Sequence, residues 1–229
     1  MKNIIMTTMQ NIKGADHELS FWKQFVQSDR FINGWLSNAK TPELNDLVYM
    51  FLLGQPSAKV LDCGSGVVSI LHGTVKRGNL HSYDLLGDEY EKIFDYKKIG
   101  IDLKPIAIGC EDINTVDFYD VVHISNALDH TQDPQAAYNA MYRAVKPGGF
   151  LIIQGFVNEG THEEWTGFHQ YNIDIKELIT YGVEYTALVI ESKNGDAVVY
   201  AIPYFARKIH IEMLNRDWIV WITRKPLEA

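Results

Sequence analysis

Basic charge, cysteines and long apolar runs are all scarce in this sequence of 229 residues. No stretch approaches the roughly 20 consecutive apolar residues that a membrane-spanning helix needs. Polar residues appear within the first eleven positions, a pattern that does not resemble a secretory signal. Lysine and arginine number 21 against 29 acidic residues, a net charge of −8, whereas nucleic-acid binding calls for a basic surface. We therefore expect a cytoplasmic protein without membrane or nucleic-acid partners.

The sequence also offers few obvious metal ligands. Its two cysteines, Cys63 and Cys110, are too few for a disulfide framework or a cysteine-rich zinc site. The eight histidines show no His-Glu-x-x-His or similar ligand spacing. The sequence therefore predicts no metal site.

A composition of 46% hydrophobic and 22% charged residues is typical of a globular protein. The length favours one domain, in which we distinguish a helical N-terminal extension (1–55), a central part (56–157) and a C-terminal part (158–229). In the first part, Phe21, Trp22 and Phe25 follow a helical spacing. Further along, Thr41-Pro42 is typical of a helix start.

The central part alternates apolar strand-like runs with helix-like segments. Strands are predicted at 60–63, 80–84, 104–108, 120–125 and 150–157. A helix is predicted from Asp133-Pro134 to Arg143. Alternation of this kind indicates a doubly wound, Rossmann-like and mostly parallel sheet covered on both faces. The C-terminal part has strand-like runs at 185–190, 197–204, 209–214 and 218–223, which we interpret as antiparallel strands that complete the sheet.

The first central strand runs into a glycine-rich turn, Asp62-Cys63-Gly64-Ser65-Gly66. Such a turn brings the backbone close to a ligand at the carboxyl edge of a sheet. Ser69 stands where a dinucleotide site would want a third glycine, and Asp62 would repel a pyrophosphate. Asp84 follows Asp62 by 22 residues, near the roughly 20-residue spacing of an acid that binds ribose hydroxyls. These residues suit a nucleoside with a charged amino-acid tail, such as S-adenosylmethionine.

Three motifs in the right order resemble the core of class I S-adenosylmethionine-dependent methyltransferases. The glycine turn resembles that family's Asp-x-Gly-x-Gly motif. Residues 119–130 resemble its fourth-strand segment, and 143–149 resemble its Arg-x-Leu-Lys-Pro-Gly-Gly turn. The resemblance implies a sheet with a reversed last strand, S-adenosyl-L-methionine as cofactor and S-adenosyl-L-homocysteine as product. It leaves 1–55 and 158–229 largely unexplained. We interpret 1–55 as a helical cap or lid over the pocket and 158–229 as an acceptor-side insertion followed by the C-terminal strands.

The resemblance also implies roles for individual residues. Asp62, the backbone of Gly64 and Gly66, and the intervening Ser65 would bind the methionine part. Asp84 would hold the ribose. The remaining contacts would flank the adenine or close the pocket, and they are Glu111, Asp112, Ile113, Asn126 and Leu128.

Two histidines are candidates for a general base, because histidine titrates near neutral pH. His130 follows the fourth predicted strand, and His169 follows the fifth, so both should lie at the same edge of the sheet. We expect methyl transfer to a small or medium polar acceptor, through a hydroxyl such as that of a sugar. A binding module for the cofactor without catalysis stays an alternative, and a nicotinamide-dependent oxidoreductase is disfavoured by Asp62 and Ser69. The sequence does not indicate an oligomeric state.

Overall fold

The computed structural model describes residues 14–161, 169–173, 187–191, 197–200 and 218–227. The helices in these ranges are α1 (Ala15–Phe25), α2 (Asp46–Leu53), α3 (Gly87–Tyr90) and α4 (Pro134–Ala144). The strands are β1 (Val60–Cys63), β2 (Leu80–Tyr83), β3 (Tyr119–Ser125), β4 (Val145–Phe156), β5 (Ala187–Glu191), β6 (Ala197–Tyr200) and β7 (Trp218–Arg224). None of these helices has the length and apolar character needed to cross a membrane.

The seven strands form one mixed sheet in the order β2-β1-β3-β4-β7-β5-β6. The pairs β1–β2, β1–β3 and β3–β4 are parallel. The pairs β4–β7, β5–β7 and β5–β6 are antiparallel. The expected Rossmann-like sheet with antiparallel C-terminal strands is therefore confirmed. The predicted strand at 209–214 lies outside the described residues.

Two apolar clusters cover the two faces of the sheet, and neighbouring residues of one strand point into different clusters. Val122 packs with the residues of α4 in one cluster. Val121 packs in the other, which contains residues of the N-terminal helices. This alternation follows from the period of two along a strand. Since both faces of the sheet are buried, polar side chains that could meet a ligand are expected at its edge.

One predicted strand, at 104–108, is wrong. The segment makes a single parallel bridge, between Tyr83 and Ile106. The Ile106 amide donates to the Ser82 carbonyl at 2.8 Å, and the Asp84 amide donates to the Ile106 carbonyl at 3.0 Å. The Ile108 amide, the next possible donor to β2, donates instead to the Ile106 carbonyl at 2.8 Å, so the ladder ends after one bridge. β2 is therefore an edge strand of the described sheet.

The predicted start of the second helix is also displaced. Asn45, and not Thr41, caps α2, since its side chain accepts the Leu47 amide at 2.8 Å. An asparagine in this position satisfies an amide that the first helical turn leaves unpaired.

The connection between β1 and β2 contains turns where a helix would be expected in a doubly wound sheet. The carbonyl of Val67 accepts the Tyr96 hydroxyl at 2.6 Å, and that of Val68 accepts Trp35 Nε1 at 2.9 Å. Two consecutive β-branched residues lower the propensity for helix. The side-chain hydrogen bonds replace the partners that a helix would have supplied to these carbonyls.

The antiparallel strand β7 should contribute strongly to stability through Trp221. This side chain is fully buried, and its Nε1 donates to Thr223 Oγ1 at 2.6 Å. We expect Trp221→Ala to lower the free energy of unfolding by about 3–5 kcal/mol in chemical denaturation, because it leaves a large cavity. The exposed Leu227 is the control, and Leu227→Ala should change it by less than about 0.5 kcal/mol. Equal effects of the two substitutions would show that β7 does not belong to the core.

Candidate active site

The loops that follow the parallel strands converge at one edge of the sheet. Gly64 follows β1, Asp84 follows β2, His130 follows β3 and Glu159 follows β4. Because the carboxyl ends of parallel strands meet at one edge, residues distant in sequence come together there. Helix α1 from the N-terminal part lies over the same edge, as the contacts of Glu18 and Trp22 below establish.

Two cavities open at this edge. The small cavity has a volume of about 90 Å³. It is lined by Gly14, Ala15, Glu18, Gly64, Asp84, Leu85, Leu86, Gly109, Cys110, Glu111, Ala127, His130, Thr131 and Gln132. The large cavity has a volume of about 320 Å³ and combines aromatic with acidic side chains. Its aromatic lining consists of Phe21, Trp22, Phe25, Trp35, Phe156 and Trp218, and its acidic lining of Glu18, Glu43, Asp62 and Glu159.

Four residues line both cavities, namely Glu18, Gly64, Ala127 and His130. The two spaces therefore meet between α1, the glycine turn and the loop after β3. Ligands bound in each of them would face each other at this junction.

Asp84 is the polar anchor of the small cavity. Its carboxylate accepts the amides of Gly66 and Leu86, both at 2.9 Å. Burial, with a further contribution from the negative charge of Glu18, raises the pKa of Asp84 to about 6. The hydrogen bonds from the two amides act in the opposite direction. Asp84 thus lines the small cavity at the end of β2, and its contact with ribose hydroxyls stays a prediction.

Both glycines of the turn have left-handed backbones, with φ of 57° at Gly64 and 64° at Gly66. A Cβ on Gly64 would lie 2.5 Å from Ala127 Cβ, and one on Gly66 would lie 2.1 Å from Trp22 Cζ2. The turn therefore needs glycine for its conformation and also for the close approach of the loop after β3 and of α1.

Asp62 organises the turn from inside the protein. Its carboxylate accepts Ser69 Oγ at 2.5 Å and His123 Nδ1 at 2.6 Å. Nε2 of His123 in turn accepts the side-chain amide of Gln154 at 2.9 Å. This buried chain joins β1, β3 and β4. Asp62 also borders the large cavity, and its contact with the cofactor stays a prediction.

The two candidate histidines form a cluster with three carboxyl groups. His130 Nδ1 lies 2.8 Å from Glu18 Oε2, and His130 Nε2 lies 2.9 Å from His169 Nδ1. His169 Nδ1 also forms a short hydrogen bond with Asp129 Oδ2, and it lies 3.5 Å from Glu159 Oε2. The Gln170 amide donates to the Asp129 carbonyl at 3.0 Å, which fixes the two loops to each other. We call these residues the histidine–carboxylate cluster.

The electrostatics of this cluster are dominated by its negative charges. Burial alone would lower the pKa of His130, but the charges of Glu18, Asp129 and Glu159 outweigh it and raise this pKa to about 9. The pKa of Glu18 is lowered, since His130 overcomes the effect of burial. Burial raises the pKa of Glu159, and the charge of Asp129 adds to this effect. The cluster thus attracts cations strongly.

The other predicted site residues do not all line the same cavity. Ser65 and Asn126 line the large cavity. Glu111 lines the small cavity, and its carboxylate accepts the amides of Gln132 at 2.7 Å and Asp133 at 3.1 Å. Three predicted residues line neither cavity, and they are the exposed Asp112 and the buried Ile113 and Leu128. Their predicted contacts with the cofactor stay predictions.

Four residues of the site escaped the sequence analysis, namely Glu18, Trp22, Asp129 and Glu159. Asp129 directly precedes the candidate base His130 in the sequence, and this adjacency could have pointed to it. Trp22 belonged to the aromatic stripe of α1, but helical spacing does not tell which surface the helix covers. Glu18 and Glu159 carried no signal, because only the fold brings them to His130 and His169.

Comparison with known proteins agrees with this geometry. Residues 61–153, which contain β1, β3 and most of β4, match the profile of a methyltransferase domain family. Residues 61–153 of this chain therefore belong to a methyltransferase domain. The cofactor of this domain is S-adenosylmethionine, as expected from Asp84 and the glycine turn.

A curated relative of this methyltransferase domain is a highly reducing polyketide synthase, verA, from Penicillium polonicum. The two are 26% identical over 140 residues, which is 55% of this chain and 5% of the synthase. The chain therefore spans only a small fraction of that relative's length.

Two solved structures share the fold. The N-methyltransferase NodS from Bradyrhizobium japonicum, in complex with S-adenosyl-L-homocysteine, is 15% identical, with a TM-score of 0.55 over 91% of this chain and 98% of NodS. The [4+2]-cyclase SpnF is 11% identical, with a TM-score of 0.58 over 94% of this chain and 95% of SpnF.

The lining of the small cavity could hold the nucleoside end of S-adenosylmethionine. Asp84 could accept the two ribose hydroxyls, and Leu85, Leu86 and Cys110 could pack against the adenine ring. Acidic residues in the lining suit a ligand that carries a sulfonium and an ammonium group. The cofactor supplies a methyl group on a good leaving group, and the protein has to orient it.

The raised pKa of Asp84 predicts a pH dependence of cofactor binding. A carboxylate accepts hydroxyl hydrogen bonds better when ionised, so affinity should fall as the pH drops through about 6. We expect S-adenosylhomocysteine to bind about tenfold more weakly at pH 5 than at pH 7 in isothermal titration calorimetry. The raised pKa means that the folded protein holds the Asp84 proton more tightly than the unfolded chain does. Lowering the pH through about 6 should therefore make Asp84 less unfavourable for the stability of the fold, while cofactor affinity falls. In Asp84→Asn the affinity should be weak at both pH values, and an unchanged slope would assign the titration to another group.

The two left-handed glycines Gly66 and Gly78 offer a matched pair of variants. Both have positive φ, but a Cβ on Gly78 would meet nothing within 4 Å. We expect Gly66→Ala and Gly78→Ala each to lose about 1 kcal/mol of stability from backbone strain, and Gly66→Ala to lose more because its Cβ also meets the buried Trp22. Only Gly66→Ala should displace Trp22 and weaken S-adenosylhomocysteine binding, measured by calorimetry beside thermal unfolding. Equal affinities in the two variants would mean that the contact of α1 with the turn does not matter for the cofactor.

Proposed function

We propose that this protein transfers the methyl group of S-adenosylmethionine to a small polar acceptor bound in the large cavity. The observation that carries the proposal is the junction of the two cavities at Gly64, Ala127, Glu18 and His130. A cofactor in the small cavity and an acceptor in the large one would meet there. Such an arrangement aligns the nucleophile with the methyl–sulfur bond, which is the main contribution that a methyltransferase makes.

The histidine–carboxylate cluster supports an acceptor that must lose a proton, such as a hydroxyl. His130, His169 and Glu159 border the large cavity close to the junction. Asp129 contacts Nδ1 of His169 and orients the ring. A histidine held by a carboxylate is a common proton acceptor in enzymes. A sugar hydroxyl would satisfy both the size of the cavity and its polar side.

An amine is a second candidate acceptor, and the lining of the large cavity favours it. Aromatic rings such as Trp22, Trp35 and Trp218 stand together with the carboxylates of Glu18, Glu43 and Glu159. Rings and carboxylates together attract organic cations. NodS, which shares the fold, is an N-methyltransferase.

The test is a methyl-transfer screen of the full chain with methyl-labelled S-adenosylmethionine. The acceptor panel should contain sugars, amines and polyketides, with products detected by mass and the methylated atom identified by NMR. We expect a gain of one methyl group in a sugar or an amine. Binding of S-adenosylhomocysteine without transfer to any acceptor would favour a binding module, and binding of NAD would favour an oxidoreductase.

His169 should be needed for the chemical step more than for cofactor binding. We expect His169→Ala to lower kcat by about 10²–10⁴-fold, as for the loss of a general base, with little change in S-adenosylhomocysteine affinity. The side chain is 1% exposed, so thermal unfolding must be measured in parallel. A variant that melts much earlier and loses cofactor binding as well would assign His169 a role in packing.

A further inference from the structure

His169 Nδ1 has more polar neighbours than one ring nitrogen can serve. It lies 2.9 Å from His130 Nε2 and 3.5 Å from Glu159 Oε2, and it forms the short contact with Asp129 Oδ2. An imidazole nitrogen has a single in-plane position, filled either by a proton or by a lone pair. It can therefore bond well to one of the three neighbours at a time. A cation placed between them could bind all four groups at once.

We propose that Asp129, His130, Glu159 and His169 form a binding site for a divalent transition-metal ion. The metal-facing atoms of Asp129, His130 and His169 lie within 4.8 Å of one another. They come from two loops, the one after β3 and the one that contains His169. The separation of about 40 residues explains why no ligand spacing was visible in the sequence.

Glu159 supplies an independent reason for a ligand at this point. Its side chain is 6% exposed. Among the described residues, its Oε2 has no hydrogen-bond partner, although it lies close to His169. A buried carboxylate oxygen without a partner is costly, whereas coordination of a cation would satisfy it.

The contact between Glu18 and His130 has the form expected around a metal ligand. A histidine that binds a metal through one nitrogen usually donates its other N–H to a carboxylate, which fixes the orientation of the ring. Here Nε2 of His130 faces the cluster, and Nδ1 lies 2.8 Å from Glu18 Oε2. Glu18 would therefore position His130 without touching the metal.

The distances and the donor atoms point to zinc or a similar ion. A tetrahedral zinc with ligands at about 2.0–2.1 Å has edges of about 3.3 Å between ligand atoms. The separations are 2.9 Å for His130–His169, 3.5 Å for His169–Glu159 and 3.8 Å for His130 Nε2–Asp129 Oδ1. The Asp129–His169 and His130–His169 contacts would have to lengthen, and Glu159, which lies outside the group of three, would have to move towards the other ligands. Two imidazoles favour zinc and its transition-metal neighbours over magnesium and calcium, which prefer oxygen ligands alone.

A metal at this position would face the acceptor space. Three of the four ligands, His130, Glu159 and His169, border the large cavity. With the ion bound, His169 would be a metal ligand and would not serve as the general base. If one ligand yields its place, the ion could instead bind an acceptor oxygen and lower its pKa, a role that rests on the proposed methyl transfer. The metal site itself does not depend on that function.

The experiment measures metal binding directly, with the full chain freed of metal by a chelator. Calorimetry with Zn²⁺ should give one site per chain, and Co²⁺ should produce visible absorption bands of the bound ion. Glu159→Gln keeps the shape of the side chain and should weaken Zn²⁺ binding at least tenfold, as should His169→Ala. Glu18→Gln should weaken it by about 10–100-fold, as is typical for a residue that orients a ligand. His17→Ala removes an exposed histidine of α1 and should bind like the unchanged protein.

The outcomes separate the metal site from the proposed function. Absence of a single site in the unchanged protein, or equal affinity in Glu159→Gln and His17→Ala, would overturn the proposal, provided that thermal unfolding shows these variants to be folded. S-adenosylhomocysteine binding should survive the chelator, because Asp84 and the glycine turn are not among the proposed metal ligands. Methyl transfer at full rate in the metal-free protein would overturn the role in acceptor binding. Metal binding without any methyl transfer would support the site and contradict the proposed function.

Discussion

The contact between Glu18 and His130 joins the parts of this molecule that matter for its chemistry. It connects α1, which the N-terminal part supplies, with the loop after β3 at the centre of the sheet. Both residues line both cavities. This contact is a direct link between α1 and the loop at the boundary of the two spaces. The position of Trp22 over Gly66 depends on the same helix.

A buried polar chain holds the sheet edge below that contact. Asp62, His123 and Gln154 join three adjacent strands through hydrogen bonds among fully buried groups. Such a chain is stable only when every member has its partner, and it is costly when one partner is lost. It therefore fixes the strands relative to one another, and the loops that carry Gly64, Asn126 and Glu159 start from fixed positions. The relative positions of the site residues on these loops follow from this rigidity.

The sequence predicted the centre of the fold better than its margins. The strand and turn at 60–66 and the helix after Asp133 have strong local signals, namely apolar residues before glycines and a capped proline. The segment at 104–108 was apolar enough for a strand, but the Ile108 amide bonds back to Ile106 and the segment makes one bridge. His130 and His169 were each recognised from their place after a strand. Their mutual contact was not predictable, since it depends on how two loops 39 residues apart fold against each other.

The site extends well beyond the segment by which the family is recognised. The family match runs from residue 61 to 153, whereas Glu18 and Trp22 precede it and Glu159 and His169 follow it. A fragment cut at the limits of the match would keep β1, β3, the glycine turn and Asp84. It would lose the cover of the glycine turn, three of the five members of the histidine–carboxylate cluster and all six aromatic residues that line the large cavity. Because Asp84 and the glycine turn lie inside the matched segment, substitutions in the flanking segments can reshape the large cavity without altering those residues.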